Sequence, residues 1–139
     1  MTDFFVARVL LADDDPTARL TLQTVLRASG YQVDAAASAA EAVGKLDEHE
    51  YELVLSDLEM ETPESGLRVL AHARNMNYKP ATALIASYRL DQDGPEQRQV
   101  LIEPEDVPEI LDQVANLISE RAQRRVEREL RHAGGFQAA

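Results

Sequence analysis

The chain has 139 residues, 45% hydrophobic and 28% charged, enough for one domain with its own core and too apolar for a disordered segment. Its formal charge of −11 sets the body against nucleic-acid phosphates, and without cysteine it forms no disulfide, thiolate zinc site or cysteine nucleophile. No apolar run approaches the roughly eighteen residues that span a bilayer and no signal-peptide pattern opens the chain, so the reading is a cytoplasmic protein without a membrane segment.

Short apolar runs alternate with helical periodicity, the pattern of an α/β fold around a parallel sheet. A first strand is expected near 5–12, running into paired acids as Val9-Leu10-Leu11-Ala12-Asp13-Asp14. Asp15 is placed to cap the first helix, with Pro16 in its first turn, Ala18, Leu22, Val25 and Leu26 on its buried face, and Gly30 at its end. A second strand follows at 31–36. Ser38 with Glu41 three residues on is a capping box, and the helix it opens carries Ala39, Ala42, Val43 and Leu46 on one stripe.

The third strand, 52–57, ends in an acid as Leu53-Val54-Leu55-Ser56-Asp57. A third helix is predicted over 65–76, opening at Ser65-Gly66 and packing Leu67, Leu70 and Ala71. The fourth strand, 82–87, ends in the hydroxyl of Ser87. Only about ten residues then separate it from a fifth strand at 98–103, and they include Asp93-Gly94-Pro95, so the fourth helix is shortened to a turn or two. The last strand reads Val100-Leu101-Ile102-Glu103-Pro104.

Val107, Ile110, Leu111, Val114, Leu117 and Ile118 make the core stripe of a final helix that continues to about Arg131. Beyond 119 its apolar positions are Ala122, Val126 and Leu130, and Gly134-Gly135 is expected to end it. The chain therefore divides into a domain over 1–119 and a helical extension with a frayed tail over 120–139. Residues 120–131 hold five Arg against three Glu, the one basic stretch on an acidic body. Three readings of it stand: a solvated helix with i,i+4 pairs such as Glu127 with Arg131, a homodimer or linker contact through Ala122, Val126 and Leu130, or contact with nucleic acid or membrane. The last is set aside because the segment lacks aromatic residues and has almost no apolar face.

Side chains that leave the C-terminal ends of neighbouring parallel strands converge on one crevice. Asp13, Asp14 and Asp57 occupy such ends, and three carboxylates suit Mg²⁺, which takes one or two protein oxygens and keeps several waters. Leu11-Ala12-Asp13-Asp14-Asp15-Pro16 with Arg19, Leu55-Ser56-Asp57-Leu58-Glu59-Met60 followed by Ser65-Gly66, then Ser87 and Glu103-Pro104, resemble the receiver domain of two-component response regulators over about residues 6–119. The resemblance implies a flavodoxin-like, doubly wound sheet of five parallel strands in the order 2-1-3-4-5. It implies that Asp57 accepts a phosphoryl group from a sensor histidine kinase or phosphotransferase, that Asp13 and Asp14 hold Mg²⁺ with Asp57, and that Ser87 contacts the phosphoryl oxygen. The chain is then a stand-alone receiver in a His-to-Asp phosphorelay, not an enzyme, acting on an unknown downstream protein without binding nucleic acid directly.

Four positions depart from the family's pattern. Glu103 stands where the family carries a phosphoryl-contacting lysine, and the two lysines of the chain, Lys45 and Lys79, lie elsewhere in sequence. At about 4 Å and an effective dielectric near 20 a unit charge pair is worth about 4 kcal/mol, so this reversal of sign opposes the phosphorylated state. The Glu61 and Pro63 loop places Gly66 one residue late, Val100 replaces a common aromatic switch residue, and the fourth helix is short. These departures leave an alternative open, a pseudo-receiver that binds partners independently of phosphorylation. Asp57-Leu58-Glu59 also has a superficial likeness to the acid-x-acid nucleophile of haloacid-dehalogenase-type phosphohydrolases, which normally carry a second aspartate there. His49, His72 and His132 have no metal spacing.

Overall fold

A computed structural model describes residues 7–58, 60–85, 101–102 and 107–137. Within them the elements are β1 (Arg8–Ala12), α1 (Pro16–Ala28), β2 (Gln32–Ala36), α2 (Ala39–Glu48), β3 (Leu53–Asp57), α3 (Ser65–Arg74), β4 (Ala81–Ile85), β5 (Leu101–Ile102) and α4 (Val107–Gln137). The strands form one sheet in the order β2-β1-β3-β4-β5, with every neighbouring pair parallel, as expected. Val9 lies opposite Val33 on one side and Leu53 on the other, and Leu53 lies opposite Ala81, so the strand starts are aligned and the strand ends share one edge of the sheet.

Successive strand residues point to opposite faces, and the core divides accordingly. Val9, Leu11, Leu53 and Leu55 pack on one face against Leu22 and Leu26 of α1 and Ile110 and Val114 of α4. Leu10, Ala12, Val54 and Leu84 pack on the other against Ala42 and Leu46 of α2 and Val69, Leu70 and Ala73 of α3. Two-sided burial is why the strands read as continuous apolar runs rather than as alternating ones.

The helix ends follow the expected caps with one change. Asp15 accepts from the Ala18 N–H at 3.3 Å, and Gly30 closes α1 with φ 100°. Ser38 accepts from the Glu41 N–H at 3.1 Å, but Glu41 reaches past the cap to the Ala37 N–H at 2.9 Å. In α3 the buried face is Val69, Leu70 and Ala73 with Leu67 partly covered, whereas Ala71 is exposed. The expectation for Ala71 fails because α3 seats its first turn, Ser65 and Gly66, against β3, and Ala71 then falls on the opposite side of the 3.6-residue period. Gly134-Gly135 does not stop α4, which continues to Gln137; glycine adopts helical dihedrals at a cost of about 1 kcal/mol each, too little to end a 31-residue helix by itself.

From Ala122 to Arg131 every residue of α4 is exposed, including Val126 and Leu130 at 53% and 64%, so no described residue of this chain covers the Ala122, Val126 and Leu130 stripe. The exception comes just before it. Arg121 is buried, and its guanidinium donates to the backbone carbonyls of Tyr78 at 2.7 Å and Lys79 at 3.0 Å, anchoring the helix to the loop before β4. Ser87, Glu103, Pro104, Val100, Glu59 and the shortened helix around Asp93-Gly94-Pro95 lie outside the described residues.

Candidate functional site

At the C-terminal edge of the sheet, β1 and β3 deliver Asp13, Asp14 and Asp57 to one point. One ligand oxygen from each lies within 4.8 Å of the others, and among the described residues this is the group of acids and histidines that could hold a metal ion. Asp13 and Asp57 are buried and Asp14 is exposed, which leaves the point open to solvent on one side.

Asp13 and Asp57 are fixed from behind. The Asp13 N–H donates to the Ala36 carbonyl at 3.0 Å, adding one rung to the β1–β2 ladder past the strand end. The Asp13 carboxylate accepts from the Asp15 N–H at 3.0 Å, and its carbonyl accepts from Arg19 Nη1 at 2.8 Å. On β3 the Leu58 N–H donates to the Ile85 carbonyl at 2.8 Å, so pairing with β4 continues past Asp57, and the Ser56 hydroxyl donates to the Asp57 carbonyl at 3.2 Å.

Gly66 supports the same point from beneath. A Cβ at this position would overlap the Asp57 carbonyl oxygen and come within 2.9 Å of the Leu58 carbonyl oxygen. The first turn of α3 therefore lies directly against the backbone that carries Asp57, an approach that a side chain would prevent. The loop between them is tied across to α2: the Glu61 carboxylate accepts from the Ala39 N–H at 3.0 Å, and the Thr62 N–H donates to the Ser65 hydroxyl at 3.1 Å. The loop's own Glu61 N–H, with a smaller contribution from that of Ala39, holds the Glu61 carboxyl below the usual range against the effect of burial.

Electrostatically the point calls for a cation. Burial raises the pKa of Asp13; the Asp15 N–H opposes this, while the charges of Asp14 and Asp15 add to it. Two carboxylates about 5 Å apart repel by about 3 kcal/mol at an effective dielectric near 20, so gathering three is unfavourable unless positive charge is shared among them. All three donors are hard oxygens, the set that suits Mg²⁺.

The predicted trio thus assembles, while Ser87 and Glu103 lie outside the described residues. Neither lysine substitutes. Lys45 sits in the last turn of α2, and Lys79 precedes β4 with its Nζ donating to the Arg74 carbonyl at 3.0 Å, at the opposite end of the strands. His72 Nε2 lies 2.9 Å from Asp47 Oδ1 between α3 and α2, and His49 stands edge-on to Tyr51, both away from the aspartates. Sequence reasoning missed the support given by Gly66 and Glu61. The late glycine and the acid after Met60 were visible as oddities of spacing, with nothing to say what they touch.

Residues 9–102 match the family described as the response regulator receiver domain. A gliding motility regulatory protein of Myxococcus xanthus is 37% identical over 78 residues, 56% of this chain and 10% of its own length. The sensor protein EvgS of Escherichia coli K12 is 35% identical over 69 residues, 50% of this chain and 6% of its own length. The chain thus spans a small fraction of these curated relatives. Among solved structures, response regulator protein TrrA from Thermotoga maritima, determined in complex with Mg²⁺-BeF, superimposes with a TM-score of 0.68 at 28% identity, covering 79% of this chain and 97% of that one.

Proposed function

The chain belongs to the response regulator receiver domain family, and from that premise we propose that Asp57 is its phosphoacceptor, modified by a cytoplasmic sensor histidine kinase or phosphotransferase. The carrying observation is the convergence of Asp13, Asp14 and Asp57 within 4.8 Å at the open edge of the sheet. Asp13, Asp14 and Asp57 would hold Mg²⁺, which supplies charge neutralisation for phosphoryl transfer. A carboxylate oxygen of Asp57 attacks phosphorus in line; the new O–P bond forms as the N–P bond of the donor histidine breaks, and the imidazole leaves with the electron pair. The Leu58–Ile85 and Ser56–Asp57 hydrogen bonds hold the nucleophile's backbone still, so that the attack geometry is set before the donor arrives. The domain receives the group and signals through protein contacts; it turns over no substrate of its own. Support also comes from the TrrA complex with Mg²⁺-BeF and from the matched segment of a sensor protein.

A second reading has its own observation. Glu103 takes the place of the family's lysine, and Lys45 and Lys79 lie away from the aspartates, so no lysine elsewhere in the fold supplies the missing charge. On this reading the acids persist in a binding module that responds weakly to phosphorylation. Incubation with Mg²⁺ and a small acyl phosphate, followed by mass spectrometry, separates the two. Gain of one phosphoryl group that is lost in Asp57→Asn supports the phosphoacceptor; no gain on the unaltered chain supports the pseudo-receiver. Glu103→Lys should raise the yield or lifetime of the phosphorylated form, and an unchanged yield removes Glu103 from the argument.

A further inference from the structure

At the end of the sheet opposite the aspartates, the start of β4 and the middle of α4 enclose a cleft of about 390 Å³. Among the described residues five cations line it, Arg74, Lys79, Arg121, Arg124 and Arg128, with one carboxylate, that of Glu120. The chain has 14 basic residues and a net charge of −11, so a third of its positive charge gathered in one concavity runs against its overall composition.

The cleft is built into the fold. Arg121, 7% exposed, forms part of its wall while two of its nitrogens hold the Tyr78 and Lys79 carbonyls. Lys79 adopts the left-handed conformation at φ 47°, rare for a residue with a side chain, and its carbonyl accepts from Arg121. Lys79 lies on the lining with its Nζ donating to the Arg74 carbonyl at 3.0 Å. Arg121, Arg124 and Arg128 fall at i, i+3 and i+7, one face of α4. Burial lowers the Arg121 pKa, with Glu52 and Glu50 opposing the shift and Arg125 and Arg124 adding to it.

We propose that this cleft binds a small molecule carrying two or more phosphate groups. Its volume falls in the range of small-ligand pockets. Guanidinium forks match phosphate oxygens in pairs, and several cations on one concave wall suit a chain of phosphates better than a lone carboxylate. Among the described residues no aromatic side chain lines the cleft to stack a base, so recognition rests on the phosphates, whether they come from a nucleotide or from inorganic polyphosphate. The inference does not depend on the role of Asp57.

Isothermal titration on the full chain carrying Asp57→Asn, in magnesium-free buffer of low salt, keeps the aspartate end from contributing. Pyrophosphate and ADP should bind one to one, and adenosine should not bind. Arg124→Gln combined with Arg128→Gln alters only exposed side chains and should keep the native circular dichroism. Its affinity should fall roughly tenfold or more, about 1.4 kcal/mol or greater. Tighter binding of ADP than of pyrophosphate supports the site with a nucleotide as its source; equal affinities support it with inorganic polyphosphate. Absence of heat with both at millimolar concentration, or binding unchanged in the double variant, overturns the proposal. So does a glutamate-rich peptide that binds where both phosphates are silent, which would make the cleft a contact for an acidic protein.

Discussion

An acidic cluster at one end of the parallel sheet and a basic cleft at the other are built by opposite means. At the C-terminal edge the charged residues are the strand ends themselves: Asp13 follows β1 and Asp57 closes β3, so parallel pairing in register brings them together. At the other end the described strand residues in the cleft, Ala81 and Thr82, are uncharged; the cations come from α3, the loop before β4 and a helix more than forty positions later. The acidic end is a consequence of topology, the basic end of one docking contact. Each should therefore fail on its own when its particular support is removed.

Gly66→Ala should have the largest effect and should fall on the acidic end. The added methyl would press on the carbonyls of Asp57 and Leu58, both backbone atoms that cannot turn aside, so a loss of about 3 kcal/mol in urea unfolding is expected. Phosphoryl uptake at Asp57 should drop with it, while pyrophosphate affinity at the basic end stays as it was. A variant of wild-type stability and full uptake would show that α3 does not set the position of Asp57.

Arg121→Met should do the converse. The stem still packs, but the Tyr78 and Lys79 carbonyls lose their charged donor, at about 2 kcal/mol. Amide hydrogen exchange should quicken around Lys79 to Ala81, and phosphoryl uptake should persist. Protection unchanged in that loop would mean that Lys79 holds its left-handed conformation without Arg121.

The smallest effect separates the ends by pH. Tyr78, whose hydroxyl donates to the Leu46 carbonyl at 2.8 Å, is pushed by burial from 10.0 up to about 12, with Glu50 and Asp47 adding to the shift. Tyr51 is likewise raised, by burial first and then by its 2.7 Å hydrogen bond to Asp34. Between those values the unfolded chain has lost protons that the folded chain keeps, so stability is whole below pH 10 and falls as pH rises toward about 12. Both tyrosines precede their strands at the basic end, and carboxylates do not titrate in that window. Tyr78→Phe should shallow the alkaline fall in melting temperature; an unaltered slope would assign it elsewhere.

Periodicity and punctuation in the chain alone determined the element types, the parallel sheet, the caps at Asp15 and Ser38, and the strand ends that bear Asp13, Asp14 and Asp57. Those features are local, set by spacing within a few residues and by the alternation of strand and helix, and a single sequence displays them directly. Only the folded chain decided that Gly66 meets the Asp57 carbonyl, that α3 buries Val69 and Ala73 in place of Ala71, and that Arg121 reaches Tyr78 across 43 positions. Helix rotation and long-range docking follow from how surfaces fit once brought together. An arginine in a basic helix reads as solvated until the loop that receives it is in place.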